Sequence, residues 1–170
     1  MTSPPSKKKS PTFLAFLKNP AKLRPTWLVF QKIPMGKILF SKLIGWLIPY
    51  TGSTSPSIQK IEPGYAEVQL QERRKVRNHL RSVHALALAN VGEFCCGLAL
   101  FSQSSSQAQA ILVELGVTYL KKARGLLIAT SRFDITEFQT DTNYALTAEI
   151  RDSGQELVAI VNTTWRVRLQ

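Results

Sequence analysis

From Ser57 onward the chain alternates. Ala66, Val68 and Leu70 are interleaved with Glu67, Gln69 and Gln71, the period-two signature of a half-buried strand. Glu62-Pro63-Gly64 supplies a hairpin turn before it. Over residues 82–101 the pattern changes to a run that is apolar nearly all round, which predicts a buried helix. Its small residues (Ala85, Ala87, Ala89, Gly92, Gly97, Ala99) allow other backbone to approach closely. Residues 102–109 read as a polar loop. Strand patterns resume over residues 113–120 and 126–135, which flank the basic turn Lys121-Lys122-Ala123-Arg124-Gly125. They continue over 144–151 and 156–169, which flank the hairpin signal Asp152-Ser153-Gly154-Gln155. Leu157, Ala159, Val161, Thr163, Trp165 and Val167 form one face of the last strand. Two strands, one buried helix and four strands predict an α+β fold, an antiparallel sheet curled round a central helix.

The first fifty residues follow another pattern. Residues 1–11 are rich in Pro, Ser and Lys and read as disordered; residues 13–17 read as a short amphipathic turn ending near Asn19-Pro20. Residues 27–48 alternate apolar clusters with Lys32, Lys37 and Lys42, which suits short helices with an apolar face and a basic rim. Pro49-Tyr50-Thr51-Gly52-Ser53 closes this arm as a turn. The expected division is therefore a basic extension over 1–50 and a globular domain over 51–170, long enough to bury a proper core.

Charge sharpens that division. The net charge is +11, but residues 1–50 hold nine Lys/Arg and no acid, whereas residues 51–170 hold thirteen against eleven. The arm either packs on the domain or docks on an anionic membrane surface through residues 13–48. Its apolar stretch is broken by Lys32, Pro34, Lys37 and Lys42, short of the ~20 clean residues a membrane span needs. Lys18, Lys22 and Arg24 interrupt any secretory apolar region. The expected location is cytoplasmic, with peripheral membrane contact or an organelle transit peptide as open alternatives. Nucleic acid is a poor partner, because the arm lacks regular Arg/aromatic interleaving and such binding leaves the buried acid unexplained. Cys95 and Cys96 are adjacent, point about 100° apart on a helix and read as reduced core thiols. No Cys/His spacing suggests a metal, and the chain has two histidines.

The buried acid is Glu93. A carboxylate in an otherwise apolar helix costs free energy unless it is hydrogen-bonded or used. Asn78, His84 six residues later and Glu93 nine beyond that resemble the active-site segment of hotdog-fold acyl-CoA thioesterases of the PaaI kind. Pro49-Tyr50-Thr51-Gly52, Glu62-Pro63-Gly64-Tyr65-Ala66, Arg77-Asn78-His79, Val83-His84-Ala85, Ala89-Asn90-Val91-Gly92-Glu93 and Tyr119-Leu120-Lys121-Lys122-Ala123-Arg124-Gly125 are similar to an uncharacterised thioesterase-like branch of that superfamily. Together they cover roughly residues 43–168.

The resemblance implies a hotdog fold and hydrolysis of an acyl-CoA or carrier-protein thioester, with no cofactor beyond the coenzyme A of the substrate. It implies Glu93 as general base or nucleophile and the Ala85 N–H at the helix start as oxyanion donor. Asn78 would orient water or the carbonyl, and His84 would shape the turn and hydrogen-bond the thioester. Leu86 and Asn90 would border the substrate, and Lys121, Lys122 and Arg124 would meet the CoA phosphates. Each has a plainer reading beside it: Glu93 bonded to Asn90 or a neighbouring strand, Asn78 holding a turn or capping the helix entry, His84 a turn or core histidine, the cations a solvated hairpin. Two departures from the relatives stand out. Their His-Gly-Gly is His84-Ala85-Leu86, and their Asp is the longer Glu93. Nine residues make two and a half helical turns, so His84 precedes the helix proper or the site draws on two chains. The resemblance implies the latter, a homodimer or dimer of dimers. A non-catalytic acyl-binding protein is the competing expectation, and a dehydratase a weaker one.

Overall fold

The computed structural model describes residues 19–103, 108–135 and 137–169. The expectations for residues 1–17 and for residues 104–107 of the 102–109 loop lie outside them; the loop is shorter than expected, because Ser102 still belongs to a helix and a strand opens at Ala108. A 3₁₀ turn at Pro20–Lys22 leads into α1 (Leu23–Gln31), α2 (Gly36–Leu47) and α3 (Pro49–Thr54). Strands β1 (Ser57–Glu62) and β2 (Tyr65–Gln71) follow, then α4 (Ala85–Ser102) and β3 (Ala108–Tyr119), β4 (Leu126–Arg132), β5 (Thr142–Asp152) and β6 (Leu157–Leu169). The six strands form one antiparallel sheet in the order β1-β2-β4-β5-β6-β3. Two strands, a buried helix and four strands is the α+β order expected from periodicity.

Alternation decides which side of the sheet meets α4. Ala66, Val68 and Leu70 on β2 and Val161, Thr163, Trp165 and Val167 on β6 are buried, while Glu67, Gln69, Asn162, Thr164 and Arg166 between them are not. The β1–β2 hairpin turns at Gly64, whose φ of 66° favours glycine, and its N–H donates to Ser102 Oγ at the far end of α4 (3.0 Å). The β5–β6 hairpin is closed by Asp152 Oδ1, which accepts from the N–H groups of Gly154 and Glu156, both at 3.0 Å.

The basic segment 121–125 departs from its hairpin reading. Strand β3 pairs with β6, whereas β4 lies between β2 and β5, so the segment is a crossover from the sheet edge to its middle. The thirteen-residue β6 offers β3 a long partner, and Glu72 at the end of β2 draws the crossover inward by accepting the Gly125 N–H at 2.6 Å. Residues 49–53 also differ: they begin a short helix rather than a turn, with Pro49 in the first helical turn, where its missing N–H costs nothing.

Helix α4 has the length and mean hydropathy (1.6) of a membrane-crossing helix, but most of it is covered by the rest of the fold, and it is the core of the domain. Close approach explains its small residues: a Cβ at Gly92 would lie 2.3 Å from Val161 Cγ2. Cys95 and Cys96 are free and buried. Helices α1 and α2 pack on the same core. Trp27 and Phe40 are fully buried with ring centroids 5.2 Å apart. Ser41 Oγ of α2 accepts the Ile58 N–H of edge strand β1 at 2.8 Å, so α2 covers that edge.

Candidate active site

Along α4 the chemistry-bearing residues fall into two groups. His84 is the N-cap, with extended backbone (φ −64°, ψ 141°), and its Nδ1 accepts the Leu86 N–H at 3.1 Å. It therefore precedes the helix proper, the first of the two options left open by spacing, and its Nε2 has no hydrogen-bond partner among the described residues. The Ala85 N–H has no acceptor among the described residues, as expected of a first-turn donor. His84, Ala85 and Leu86 are all exposed. Tyr119, at the end of β3, donates its hydroxyl to the Ala85 carbonyl (3.1 Å). Ala123 O accepts the Val83 N–H at 2.8 Å, placing the basic crossover beside this helix start.

The basic residues are not equivalent. Lys121 is paired with Asp152 (2.8 Å) and Glu156, which compensate its charge. Lys122 and Arg124 are exposed and have no salt-bridge partner among the described residues. Asn78 organises the preceding turn: its Oδ1 accepts from Leu80 N (2.9 Å), Ser82 N (3.2 Å) and Ser82 Oγ (3.2 Å). Its carbonyl is thus spent on structure, and its amide Nδ2 is the part left to meet a ligand.

Glu93 lies elsewhere. It sits eight residues beyond Ala85, about 12 Å along the helix axis. It borders a cavity of about 180 Å³ that includes Leu23 of α1, Ile44 of α2, Ile48, Phe94 and Phe101 of α4 and Trp165 of β6. Among the described residues no side-chain or backbone group hydrogen-bonds its carboxyl group, and burial alone raises its pKa from 4.5 to about 7. Asn90 does not clamp it. The Asn90 amide donates to Thr51 Oγ1 (3.2 Å) and its Oδ1 accepts from Thr54 Oγ1 (3.0 Å), so Asn90 ties α4 to α3, one step removed from the cavity that Thr51 borders. An apolar chamber ending at a carboxyl group poised near neutrality can hold an acyl chain and activate water beside its carbonyl.

The chain therefore gathers His84, Ala85, Leu86, Tyr119, Lys122 and Arg124 at one end of α4 and leaves Glu93 in a separate chamber. The chamber walls from the arm, Leu23, Ile44 and Ile48, were not expected from sequence. The four-residue spacing of Phe40, Ile44 and Ile48 was the available signal.

A protein-family description, domain of unknown function (DUF4442), matches residues 36–167. Among curated proteins none matches the sequence. Solved structures do. The genomics target APC5556 is 28% identical, with a TM-score of 0.75, over 86% of this chain and 98% of that one. PA5026 of Pseudomonas aeruginosa, described as a protein of unknown function and probable thioesterase, is 22% identical, with a TM-score of 0.68, over 81% and 97%. The E. coli PaaI protein from the phenylacetic acid degradation operon is 18% identical, with a TM-score of 0.63, over 79% and 94%. The sheet wound round one central helix is thus the hotdog fold that the sequence resemblance implied.

Proposed function

The chain belongs to the DUF4442 family, and from that premise and the unclamped Glu93 we propose that it is a thioester hydrolase acting on acyl-CoA or a related acyl thioester. The observation that carries the reading is a carboxyl group with no hydrogen-bond partner among the described residues, facing an apolar cavity, where burial pushes its pKa up to about 7. Ionised Glu93 takes a proton from water as the water oxygen bonds to the acyl carbon. The developing oxyanion is held by a backbone N–H at a helix start. Collapse breaks the carbon–sulfur bond, and the thiolate recovers the proton from Glu93. No metal or separate cofactor enters this sequence.

The donor in this reading comes from a second copy, because Ala85 and Glu93 of one chain are too far apart. What supports a homodimer is β3. It is a twelve-residue edge strand with exposed Ile111, Val113 and Leu115, and a long apolar edge is a template for pairing. Two-fold β3–β3 pairing is isologous and closes. Tyr119 at the end of β3 donates to the Ala85 carbonyl, so the exposed His84-Ala85-Leu86 end lies beside that edge, where this reading sets it against the Glu93 cavity of the second copy. Lys122 and Arg124, beside that end, are the cations suited to CoA phosphates. Asn78 Nδ2 and His84 Nε2 are secondary contacts in the same place.

A second reading, acyl binding without turnover, is favoured by Leu86, whose exposed side chain stands where a smaller residue would admit substrate to the backbone. A panel of acyl-CoAs with free-thiol detection, run on wild type and Glu93→Gln, separates the two. Hydrolysis that falls at least about a hundredfold in the variant supports the enzyme. Acyl binding with no release of thiol in either protein supports the alternative.

A further inference from the structure

Helix α2 has two working faces. Phe40, Ser41 and Ile44 point into the protein, and Ile44 and Ile48 wall the Glu93 cavity. On the opposite side Ile38, Leu39, Lys42 and Trp46 fall within about 100° of the helix circumference. They are exposed, with Ile38 at 44%, Leu39 at 47% and Trp46 at 71%. Ile38, Lys42 and Trp46 border one shallow groove with Gly52 and Pro56. The α1–α2 connection extends the apolar surface with Ile33 and Met35, both exposed, and Lys32 and Lys37 flank it. A solvent-facing stripe of this kind needs an occupant.

Charge decides which. Residues 1–50 contain nine cations and no acid. A two-fold contact between copies through this stripe would set Lys42 and its neighbours against their own equivalents, with no acid in the arm to compensate. An anionic bilayer suits both properties at once. Apolar tips and a tryptophan enter the headgroup boundary while lysine stems lie along it and their ammonium groups meet lipid phosphates.

We propose that the outer stripe of α2 and the α1–α2 turn dock the protein on an anionic phospholipid surface, which holds the Glu93 cavity on the inner face of the same helix within one helix thickness of acyl thioesters partitioned into that membrane. Docking stands on the exposed stripe and its charge. The choice of long-chain, membrane-partitioned substrates rests on the hydrolase reading above.

The test uses the full chain with vesicles of phosphatidylcholine alone or mixed with phosphatidylglycerol. Co-sedimentation is expected with the mixed vesicles and not with phosphatidylcholine alone. Because Trp27 and Trp165 are buried and Trp46 is exposed, a blue shift of tryptophan emission on binding reports Trp46, and Trp46→Ser removes it. Each lysine contributes about fivefold in partitioning, so Lys32→Glu in the α1–α2 turn with Lys42→Glu in the stripe weakens association by more than tenfold. Anionic vesicles raise the rate on long-chain acyl-CoA but not on a soluble short-chain one, and the double lysine variant loses that stimulation alone. Glu93→Gln binds vesicles like wild type, so absence of hydrolysis in the wild type would sink the enzyme reading while leaving docking in place. No association with anionic vesicles, or association indifferent to the stripe variants, overturns the proposal. So does a smaller oligomer in those variants, which would assign the face to a second copy.

Discussion

Partial burial with no hydrogen-bond partner among the described residues makes Glu93 respond to pH in two opposite ways. Its unfolded-state pKa is near 4.5 and its folded value about 7, raised by desolvation. Below 4.5 the group is protonated in both states and costs nothing. Above 7 it is ionised in both, and the folded state carries the whole desolvation penalty. Stability therefore falls as pH rises from about 4.5 to about 7, by up to about 3 kcal/mol. Glu93→Gln should remove that slope, which denaturant midpoints at pH 5 and pH 8 would measure; an unchanged slope would mean the group is solvated. Activity runs the other way, because only the ionised form accepts a proton. The kcat/KM of the wild type should rise through about pH 7 and then level off. Glu93 was legible in the sequence as a lone acid in an apolar run. Its isolation from Asn90 was not, since Asn90 is engaged by Thr51 and Thr54, thirty-six or more residues away.

The start of α4 offers an unusually clean substitution. Ala85 is the first helical residue, its N–H lacks an acceptor among the described residues, and His84 before it has φ −64° and ψ 141°. Proline is well tolerated at that helical position and after a residue with those angles. Ala85→Pro should thus leave melting behaviour unchanged while removing an oxyanion donor, lowering kcat by roughly a hundredfold or more. Wild-type turnover in this variant would remove Ala85 from the site. In the middle of the helix the tolerance is reversed. Gly92→Ala drives a methyl group into Val161, and a loss of about 1–3 kcal/mol is expected from chemical denaturation. The strands and this helix were readable because alternation and all-round burial are local patterns. The partner of β3 was not, because pairing with β6 across some fifty residues leaves no local trace. The short α3 was hidden for a related reason: Pro, Gly, Ser and Thr favour turns, and here Asn90 and the core hold them helical.

Assembly is where the separation of Ala85 and Glu93 acquires a consequence. If each site takes Glu93 from one subunit and the helix start from its partner, two different defects can be segregated. A heterodimer of Ala85→Pro and Glu93→Gln subunits then has one site carrying both lesions and one carrying neither. Random mixing makes about half the dimers hetero, so two inactive proteins should recover about a quarter of wild-type activity per subunit when unfolded and refolded together. Were both groups supplied by one chain, every site would retain a lesion and mixing would recover nothing. Leu115→Lys on the exposed β3 edge provides the physical control. A charge there should yield monomers in sedimentation velocity and abolish both hydrolysis and recovery. A Leu115→Lys monomer that still hydrolyses acyl-CoA at the wild-type rate would confine the chemistry to a single chain, and the free Ala85 N–H would need another explanation.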